Sequence, residues 1–399
     1  MANILGIKTG QYSQTKIKEK IIAFYNGQKN NLIVTPNPEI ILLSQDDEEL
    51  FYILNHAELS LADGFGLKIA AWLSRQKLSR QTGADLLPWL LKEADDKNRK
   101  VLIINHPHSL SSSTDISQYL KNHYPNLNFL VIADDNIHFT KDHLQEIINF
   151  QPELTISLLG APIQEKSLFH LQKHLTTNRV SIGLGGAFDF LTGKIKRAPK
   201  LWRQIGLEWL WRLIQEPRHR WRRIYRATFI FLSKAIVWIF IMPKLYRPNV
   251  AVMPILDNHL GRQILIVERC DEVHHWQLIQ GGTDNLSIEQ AALKELEEES
   301  GLKNGEVVAS YSNLYRYDFN KELGKYSNPK NKRHYGYKGQ KQSLVIIKIK
   351  EDNPEVKINH WDHSNWRWVK EGDLLKSLHP CRQAAAQIYL QKLQQLYES

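Results

Sequence analysis

One junction constrains this chain more than any other feature: at residues 194–243 a dense basic segment runs directly into an apolar one. Between residues 194 and 226 stand 11 Lys or Arg against only Glu208 and Glu216, a surplus of nine out of the chain's formal +10. The remainder of the 399 residues is close to neutral. A whole-chain excess of base would point to nucleic acid. An excess confined to one segment beside ATFIFLSKAIVWIFIMP (residues 227–243) points instead to an anionic membrane surface or a lipid phosphate. The apolar run is 17 residues long with Lys234 near its middle, about 25 Å as a helix against roughly 30 Å of hydrocarbon. It is expected to lie in or dip into the inner leaflet; a helix packed on protein ranks second and a span third.

The junction divides the chain into an expected first domain at 1–226, the apolar segment at 227–243 and a second domain at 246–399. The length suits two cores better than one. With 42% hydrophobic and 24% charged residues, the composition is globular and excludes disorder. Cys270 and Cys381 cannot build a disulfide framework, and no CxxC or Cys/His cluster signals zinc, so a reducing cytoplasm is expected. The first residues, MANILGIKTGQYSQ, lack the pattern of a secretory signal.

Before the junction, short apolar runs alternate with amphipathic stretches. The runs are NLIVT (31–35), LSLA (59–62), KVLIIN (100–105), NFLVIAD (128–134), LTISLLG (154–160) and VSIGLGG (180–186). This alternation predicts a mostly parallel sheet covered by helices on both faces, with ligands bound beyond the carboxyl ends of the strands. Small and polar residues stand at those strand exits, where free N–H groups and helix N-termini favour phosphate. Taken singly, each of these glycine turns reads more readily as a turn requirement than as a phosphate cradle.

Together, TPNPE (35–39), LADGFG (61–66), RQTGADLL (80–87), LGAPIQE (159–165), GLGGAFDFLTGKIKRAP (183–199) and GLEWLWRLIQEPRHRWRR (206–223) resemble the WecG/TagA/CpsF family of glycosyltransferases. The resemblance implies a Rossmann-like α/β domain. It also implies inverting transfer of an N-acetylhexosamine, typically N-acetylmannosamine, from a UDP-sugar donor onto polyprenyl-pyrophosphate-linked N-acetylglucosamine. The setting is the cytoplasmic face of the cell membrane, with peripheral association. Such transfer needs a base for the acceptor hydroxyl and positive charge for the departing phosphate. Asp63, on a glycine-flanked turn, is assigned as the base; the competing reading makes it the cap of a helix starting near Phe65. Thr35 and Asn37 are expected to bind a sugar, Arg80 to hold a phosphate or orient Asp63, and Gln164 with Glu165 to contact nucleotide or sugar. Ordinary turn chemistry is the competing reading for these residues. Arg197, Arg212, Arg218 and Arg222 lie where the family carries an appendage that reaches the lipid pyrophosphate. No Asp-x-Asp triplet occurs in this part of the chain, so no metal is indicated for transfer. The sequence departs from the family at Asn105-His106-Pro107-His108, where a glycine-rich turn is expected. A lipid-binding scaffold is the non-enzymatic alternative.

After the junction, a glycine pair at 281–282 leads into a helical stretch that stops at Gly301, with Glu295, Glu298 and Glu299 at i, i+3 and i+4. Three like charges on one face call for a cation, and oxygen donors suit Mg2+ or Mn2+. The plain alternative is an acidic, solvated helix. The stretch resembles the Nudix box, with Lys294 where arginine is usual, a loop about two residues short, and Leu286 where a glutamate is expected. Within that family it is most similar to bacterial RNA pyrophosphohydrolases and dinucleoside polyphosphate hydrolases, on the residues 246–250, Trp276-Gln277, 314–317, 339–342 and 366–369. The resemblance implies an α/β/α sandwich and metal-assisted attack of water on a phosphoanhydride of a nucleotide or an RNA 5′ end. It implies Glu295, Glu298, Glu299 and Asp362 as metal ligands, with Glu298 and Glu299 catalytic, and Arg247 and Lys341 as phosphate contacts. A catalytically silent nucleotide sensor is the alternative. The polar insert at 318–339 reads as a loop over the site. Donor sugar, Nudix substrate and oligomeric state stay open at the level of sequence.

Overall fold

The computed structural model describes residues 2–79, 81–199, 202, 208–215, 221–222, 224–259, 261–284, 286–319, 336–351, 353–359 and 361–398. Arg80, Arg218, the side chain of Arg212 and most of the 318–339 insert lie outside the described residues. The chain forms two compact units, Met1–Ile239 and Phe240–Ser399.

The first unit opens with a hairpin of β1 (Ala2–Ile4) and β2 (Ile7–Thr9). Six strands then build a fully parallel sheet: β3 (Asn31–Val34), β4 (Leu59–Ser60), β5 (Lys100–Asn105), β6 (Asn128–Ala133), β7 (Leu154–Ser157) and β8 (Val180–Gly183), in the order β4-β3-β8-β7-β5-β6. Alternate residues feed two cores. Leu32, Val34, Leu102 and Ile104 pack with Ile41, Leu50, Ile53, Leu67 and Leu168. Ile33, Val101, Ile103, Ile156 and Ile182 pack with Ile21, Leu87, Leu91 and Leu120 on the other face. Strands buried on both faces are mostly apolar, with small polar residues such as Thr155, Ser157 and Ser181 buried among them, which is why they read as near-continuous apolar runs. Because every strand points the same way, all six carboxyl ends share one edge of the sheet.

The helices that follow those ends start on local signals. Asn37 caps α1 (Pro38–Leu43), and Thr82 caps α3 (Gly83–Asp96), while α2 (Phe65–Leu73) begins behind Gly64. A further helix, α4 (Ile163–Leu171), follows β7.

The apolar segment forms one helix, Arg226–Lys244, which by length and composition is long and apolar enough to cross a membrane. Phe231 and Ala235, one turn apart, are fully buried in the first unit's core. Gly66 lies beside this contact: a Cβ there would stand at an ordinary 3.6 Å from Phe231 Cδ1 but only 2.9 Å from Pro38 Cγ. Away from that contact, Tyr225, Phe229, Ile236, Val237, Phe240 and Ile241 are exposed. One stripe of this helix therefore packs on protein while large apolar side chains face outward.

The second unit is a seven-stranded mixed sheet of β9 (Tyr246–Asn258), β10 (Gly261–Arg269), β11 (Trp276–Gln277), β12 (Ile279–Gly282), β13 (Gly305–Asp318), β14 (Gly339–Ile349) and β15 (His363–Lys370). Only β9 and β14 pair in parallel. The helix Ile288–Ser300 covers one face, with Ala291, Ala292 and Leu296 against Val250, Val252, Val345 and Ile347. The helix Pro380–Glu398 covers the other, with Ala386, Tyr389 and Leu393 against Ala251, Met253, Leu344 and Ile346. The protein is thus α/β throughout, with the parallel-sheet domain and the α/β/α sandwich expected from sequence. Helix Ile288–Ser300 starts on a capping box between Ser287 and Gln290 and stops at Gly301, whose φ of 72° suits glycine.

Candidate active sites

In the first unit, strand exits far apart in sequence are bonded to one another. Buried Thr35, just past β3, donates its hydroxyl to the Gly183 carbonyl at the end of β8, at 3.1 Å. Gln164 accepts from the Gly185 N–H at 3.0 Å and donates to Glu165 Oε1 at 2.7 Å. Gly183 leaves room for this, since a Cβ there would sit 2.7 Å from Gln164 Cδ. The exits of β3, β7 and β8 are thereby joined into one floor. Asn37 spends its side-chain oxygen on the Ile40 N–H at 3.0 Å, so it holds the loop shape as the cap of α1.

Asp63 follows β4, and its N–H donates to the Pro36 carbonyl at 2.8 Å, which ties the LADGFG turn to the TPNPE turn. The cap position of α2 belongs to Gly64, at φ 99° and without a side-chain cap bond. The N-cap position of α2 thus falls on Gly64, one residue after Asp63. Glu165 is 2% exposed, and its Oε2 is buried without a hydrogen-bond partner. Burial pushes this carboxyl up to about 7, with the Gln164 amide pulling the other way.

Arg197 lies 2.6 Å from Asp85 Oδ1 and 3.4 Å from Thr82 Oγ1, so it is tied to the first turn of α3. Arg222 is exposed, with its guanidinium 5.5 Å from the Trp221 ring. Two residues given no role from sequence complete the rim. Ser111 donates both its N–H and its hydroxyl to Asp189 Oδ1, at 3.1 and 2.6 Å. The turn after β5, where a glycine-rich loop was expected, is held by Asn105 donating to the Ser111 carbonyl at 3.0 Å. Asp189 stands inside the glycine-rich motif, and that was the signal available for it.

In the second unit the three glutamates of helix Ile288–Ser300 divide. Glu295 is buried against Gly281, where any Cβ would collide with its carboxylate. Glu299 is buried and bonds His363 Nε2 at 2.8 Å. Burial raises the Glu299 carboxyl, while His363 draws it down and Asp362 adds to the rise. Burial also works against a charged His363, but Glu299 beside it outweighs that and holds the imidazole's pKa up. Glu298 is exposed, with Lys294 Nζ at 3.6 Å. Asp362 sits next to this pair, its N–H bonded to Asn359 Oδ1 at 3.1 Å.

The oxygen donors of Glu295, Glu298, Glu299 and Asp362 are of the kind a hard divalent cation takes. Of these four, Glu298 is the exposed one, with Lys294 as its ion-pair partner. Arg247 lies over Gly282, where a Cβ would meet its guanidinium. In register, Gln340 pairs with Arg247 and exposed Lys341 with Pro248, so strand alternation sends Arg247 and Lys341 to opposite faces of the sheet.

Among the described residues, the three carboxylates do not converge; the set of three donors lying within 4.8 Å of one another is His275, His379 and Cys381. This corrects the expectation that the chain holds no Cys/His cluster. The sequence hides the cluster, because His275 and Cys381 are 106 positions apart.

Residues 2–244 match the model of the glycosyl transferase WecG/TagA/CpsF family, and residues 245–391 match that of the NUDIX domain. An N-acetylglucosaminyldiphosphoundecaprenol N-acetyl-beta-D-mannosaminyltransferase of Bacillus subtilis (strain 168) is 32% identical over 202 residues, 50% of this chain and 77% of that protein. The enzyme of the same name from Staphylococcus aureus (strain MW2) is 27% identical over 238 residues, 57% of this chain and 88% of that one. Among solved structures, a C. elegans Ap4A hydrolase binary complex overlaps 37% of this chain and 97% of its own at 15% identity, with a TM-score of 0.28. The NUDIX domain of Shewanella oneidensis NrtR, complexed with ADP ribose, overlaps 38% and 89% at 16% identity, with a TM-score of 0.26. With the motifs at the exits of β3, β4, β7 and β8 gathered at one edge of a parallel sheet and the family match spanning that unit, the chain is an enzyme of the WecG/TagA/CpsF glycosyl transferase family that carries a NUDIX domain behind its transferase unit.

Proposed function

We propose that the first unit transfers N-acetylmannosamine from a UDP-sugar to polyprenyl-pyrophosphate-linked N-acetylglucosamine with inversion, and that the second hydrolyses a phosphoanhydride of a nucleotide or an RNA 5′ end. The observation that carries the first reading is the bonded floor made by Thr35, Gly183, Gln164 and Gly185, beside which the Asp63 turn is tied down through Pro36. In this reading Asp63 takes the proton of the acceptor hydroxyl as it attacks the donor's anomeric carbon. The basic segment at 194–226 supplies charge for the departing nucleotide and the lipid pyrophosphate. Arg197 acts through α3 unless a ligand draws it from Asp85. The names of the relatives support the choice of sugar and acceptor.

The outward side chains of helix Arg226–Lys244, led by Phe229 and Phe240, then seat the enzyme in the headgroup layer of the inner leaflet, with the basic segment against anionic lipid. The packed Phe231 and Ala235 favour a helix lying along the surface over one crossing it.

For the second unit, Glu295, Glu298, Glu299 and Asp362 would hold Mg2+ or Mn2+. The ion supplies charge neutralisation at phosphorus and a more acidic water. His363 orients the Glu299 carboxylate, and Arg247 offers a fork to a phosphate. A catalytically silent nucleotide sensor is the second reading, favoured by the engagement of Glu299 with His363 and of Glu298 with Lys294.

The test is mass spectrometry of the full-length protein with the lipid acceptor, a panel of nucleotide sugars, nucleoside polyphosphates, and Mg2+ present or absent. A lipid product heavier by one N-acetylhexosamine, formed without metal, supports the transferase reading. An unchanged acceptor with every donor overturns it. Mg2+-dependent nucleotide cleavage that disappears in Glu299→Gln excludes the sensor, and nucleotide binding without turnover establishes it.

A further inference from the structure

The strand β10 ends at Arg269, and the turn that follows brings His275 back beside β11. There the chain's C-terminal helix begins. The His379 N–H donates to the Trp276 carbonyl at 3.0 Å, and the Arg382 N–H donates to the His379 carbonyl at 2.8 Å. Backbone bonds therefore set His379 and Cys381 against His275. The two imidazole rings stack with centroids 4.2 Å apart and planes 5° from parallel, so one ring has to turn before both lone pairs meet a single ion. Cys381 Sγ lies 3.0 Å from His379 Nδ1 and 3.8 Å from His275 Nε2. In a tetrahedral zinc site with ordinary Zn–S and Zn–N bonds, a sulfur and a nitrogen ligand stand roughly 3.5 Å apart. The two observed separations fall on either side of that value.

The surroundings orient the donors. His275 Nδ1 bonds Glu272 Oε2 at 2.8 Å, and Arg382 Nε–H approaches Nε2 at 3.4 Å. The network thus assigns the proton to Nδ1 and a lone pair to Nε2. The other Glu272 oxygen lies 4.0 Å from His379 Nε2. A carboxylate behind metal-binding imidazoles is the usual means of holding their tautomer and direction. Of the two nearby arginines, Arg269 is neutralised by Asp271 at 2.7 and 2.6 Å. Arg382 makes only a long contact with His275 and also reaches the Tyr317 hydroxyl at 3.3 Å, so it has a second place to rest. His275 is buried, while His379 and Cys381 are half-buried and leave a way in.

We propose that His275 Nε2, His379 Nδ1 and Cys381 Sγ form a binding site for a borderline-soft divalent ion of the Zn2+ type, on residues separate from the oxygen donors of helix Ile288–Ser300. Nitrogen and sulfur donors select such an ion over Mg2+. On binding, the Cys381 thiol loses its proton to solvent and the thiolate takes up the metal bond; the fourth position goes to water. The ion fastens the turn after β10 to the start of the C-terminal helix.

The experiment uses full-length protein with any affinity tag removed, loaded with Zn2+ or with Co2+. One zinc per chain is expected after buffer exchange, together with a thiolate-to-cobalt charge-transfer band in the Co2+ form. Bound Zn2+ should shield Cys381 from iodoacetamide and leave Cys270 unchanged, as read by peptide mass spectrometry. Cys381→Ser and His379→Gln should each remove the band and the bound zinc, and Glu299→Gln should keep both. The proposal is overturned by the absence of a charge-transfer band at saturating Co2+ together with alkylation of Cys381 that ignores Zn2+. It is equally overturned by a band that survives Cys381→Ser. The band and the alkylation pattern are read on the unsubstituted protein, so they do not depend on whether a variant folds.

Discussion

In the first unit, Thr35 and Gly183 are separated by 148 positions yet share a 3.1 Å hydrogen bond. In the second, Glu295, Glu298 and Glu299 stand within two turns of one helix and part company, two of them buried and one exposed. A parallel sheet collects the exits of all its strands along one edge, so residues distant in sequence meet through backbone pairing alone. A helix rotates each successive side chain by about 100°, and competing partners decide where similar side chains finally point. Lys294 and His363 are those partners here. The first set of candidate residues is thus joined by its own scaffold, whereas the second set stays divided.

The largest expected effect bears on the assembled site. Asp63→Asn should lower transfer by about 10²- to 10⁴-fold, the range for losing a general base, with the fold unchanged by circular dichroism. Transfer at the unsubstituted rate would detach the chemistry from the LADGFG turn and break the comparison on its first side.

The next effect is carried by Glu165. The folded state keeps its proton up to about 7, while an unfolded carboxyl releases it near 4.5. Between those values the folded state binds more protons than the unfolded one, so this residue's share of stability falls as pH rises. Integrated over the window, the loss is about 3 kcal/mol. Glu165→Gln should therefore gain stability relative to the unsubstituted protein as pH rises from 4.5 to 7, measured by urea unfolding at each pH. A difference that stays flat would mean that Glu165 is not held protonated in the floor.

On the other side of the comparison, His363→Ala should weaken Mg2+-dependent hydrolysis or Mg2+ affinity by about 10- to 100-fold, as loss of a partner that orients a metal ligand does. Stronger metal binding instead would show that His363 competes with the cation for Glu299. The smallest effect is expected for Thr35→Val. It leaves the buried Gly183 carbonyl without its hydroxyl partner and should cost about 1 kcal/mol in thermal or urea unfolding. A larger coupling between Thr35→Val and Gln164→Ala than between either and a distant substitution would sharpen the picture of one bonded floor.

Much of the fold was legible because its signals are local. NLIVT, KVLIIN, LTISLLG and VSIGLGG became β3, β5, β7 and β8, since a strand buried on both faces is mostly apolar. LSLA yielded only the two-residue β4, because pairing with β3 ends after Ser60. Gly301 marked the end of its helix, while the capping box of Ser287 at its start emerged with the structure. The Asp63 turn was legible as a position, but the placing of the α2 cap at Gly64 was not. Equally hidden were the bonds of Arg197 to α3 and of Ser111 to Asp189.

By itself the sequence determined the basic and apolar junction, the parallel strands before it, the acidic helix after it and the motifs standing at the strand exits. These follow from hydrophobic period, capping residues and glycine placement, all of which act over a few residues. Only the tertiary structure decided that Glu299 meets His363 while Glu298 faces outward, that Phe231 of the apolar helix is buried in the first unit's core, and that His275, His379 and Cys381 converge. Those meetings depend on strand register and on packing between segments that local pattern leaves unrelated, since no residue's own neighbours in the chain say which distant side chain will lie against it.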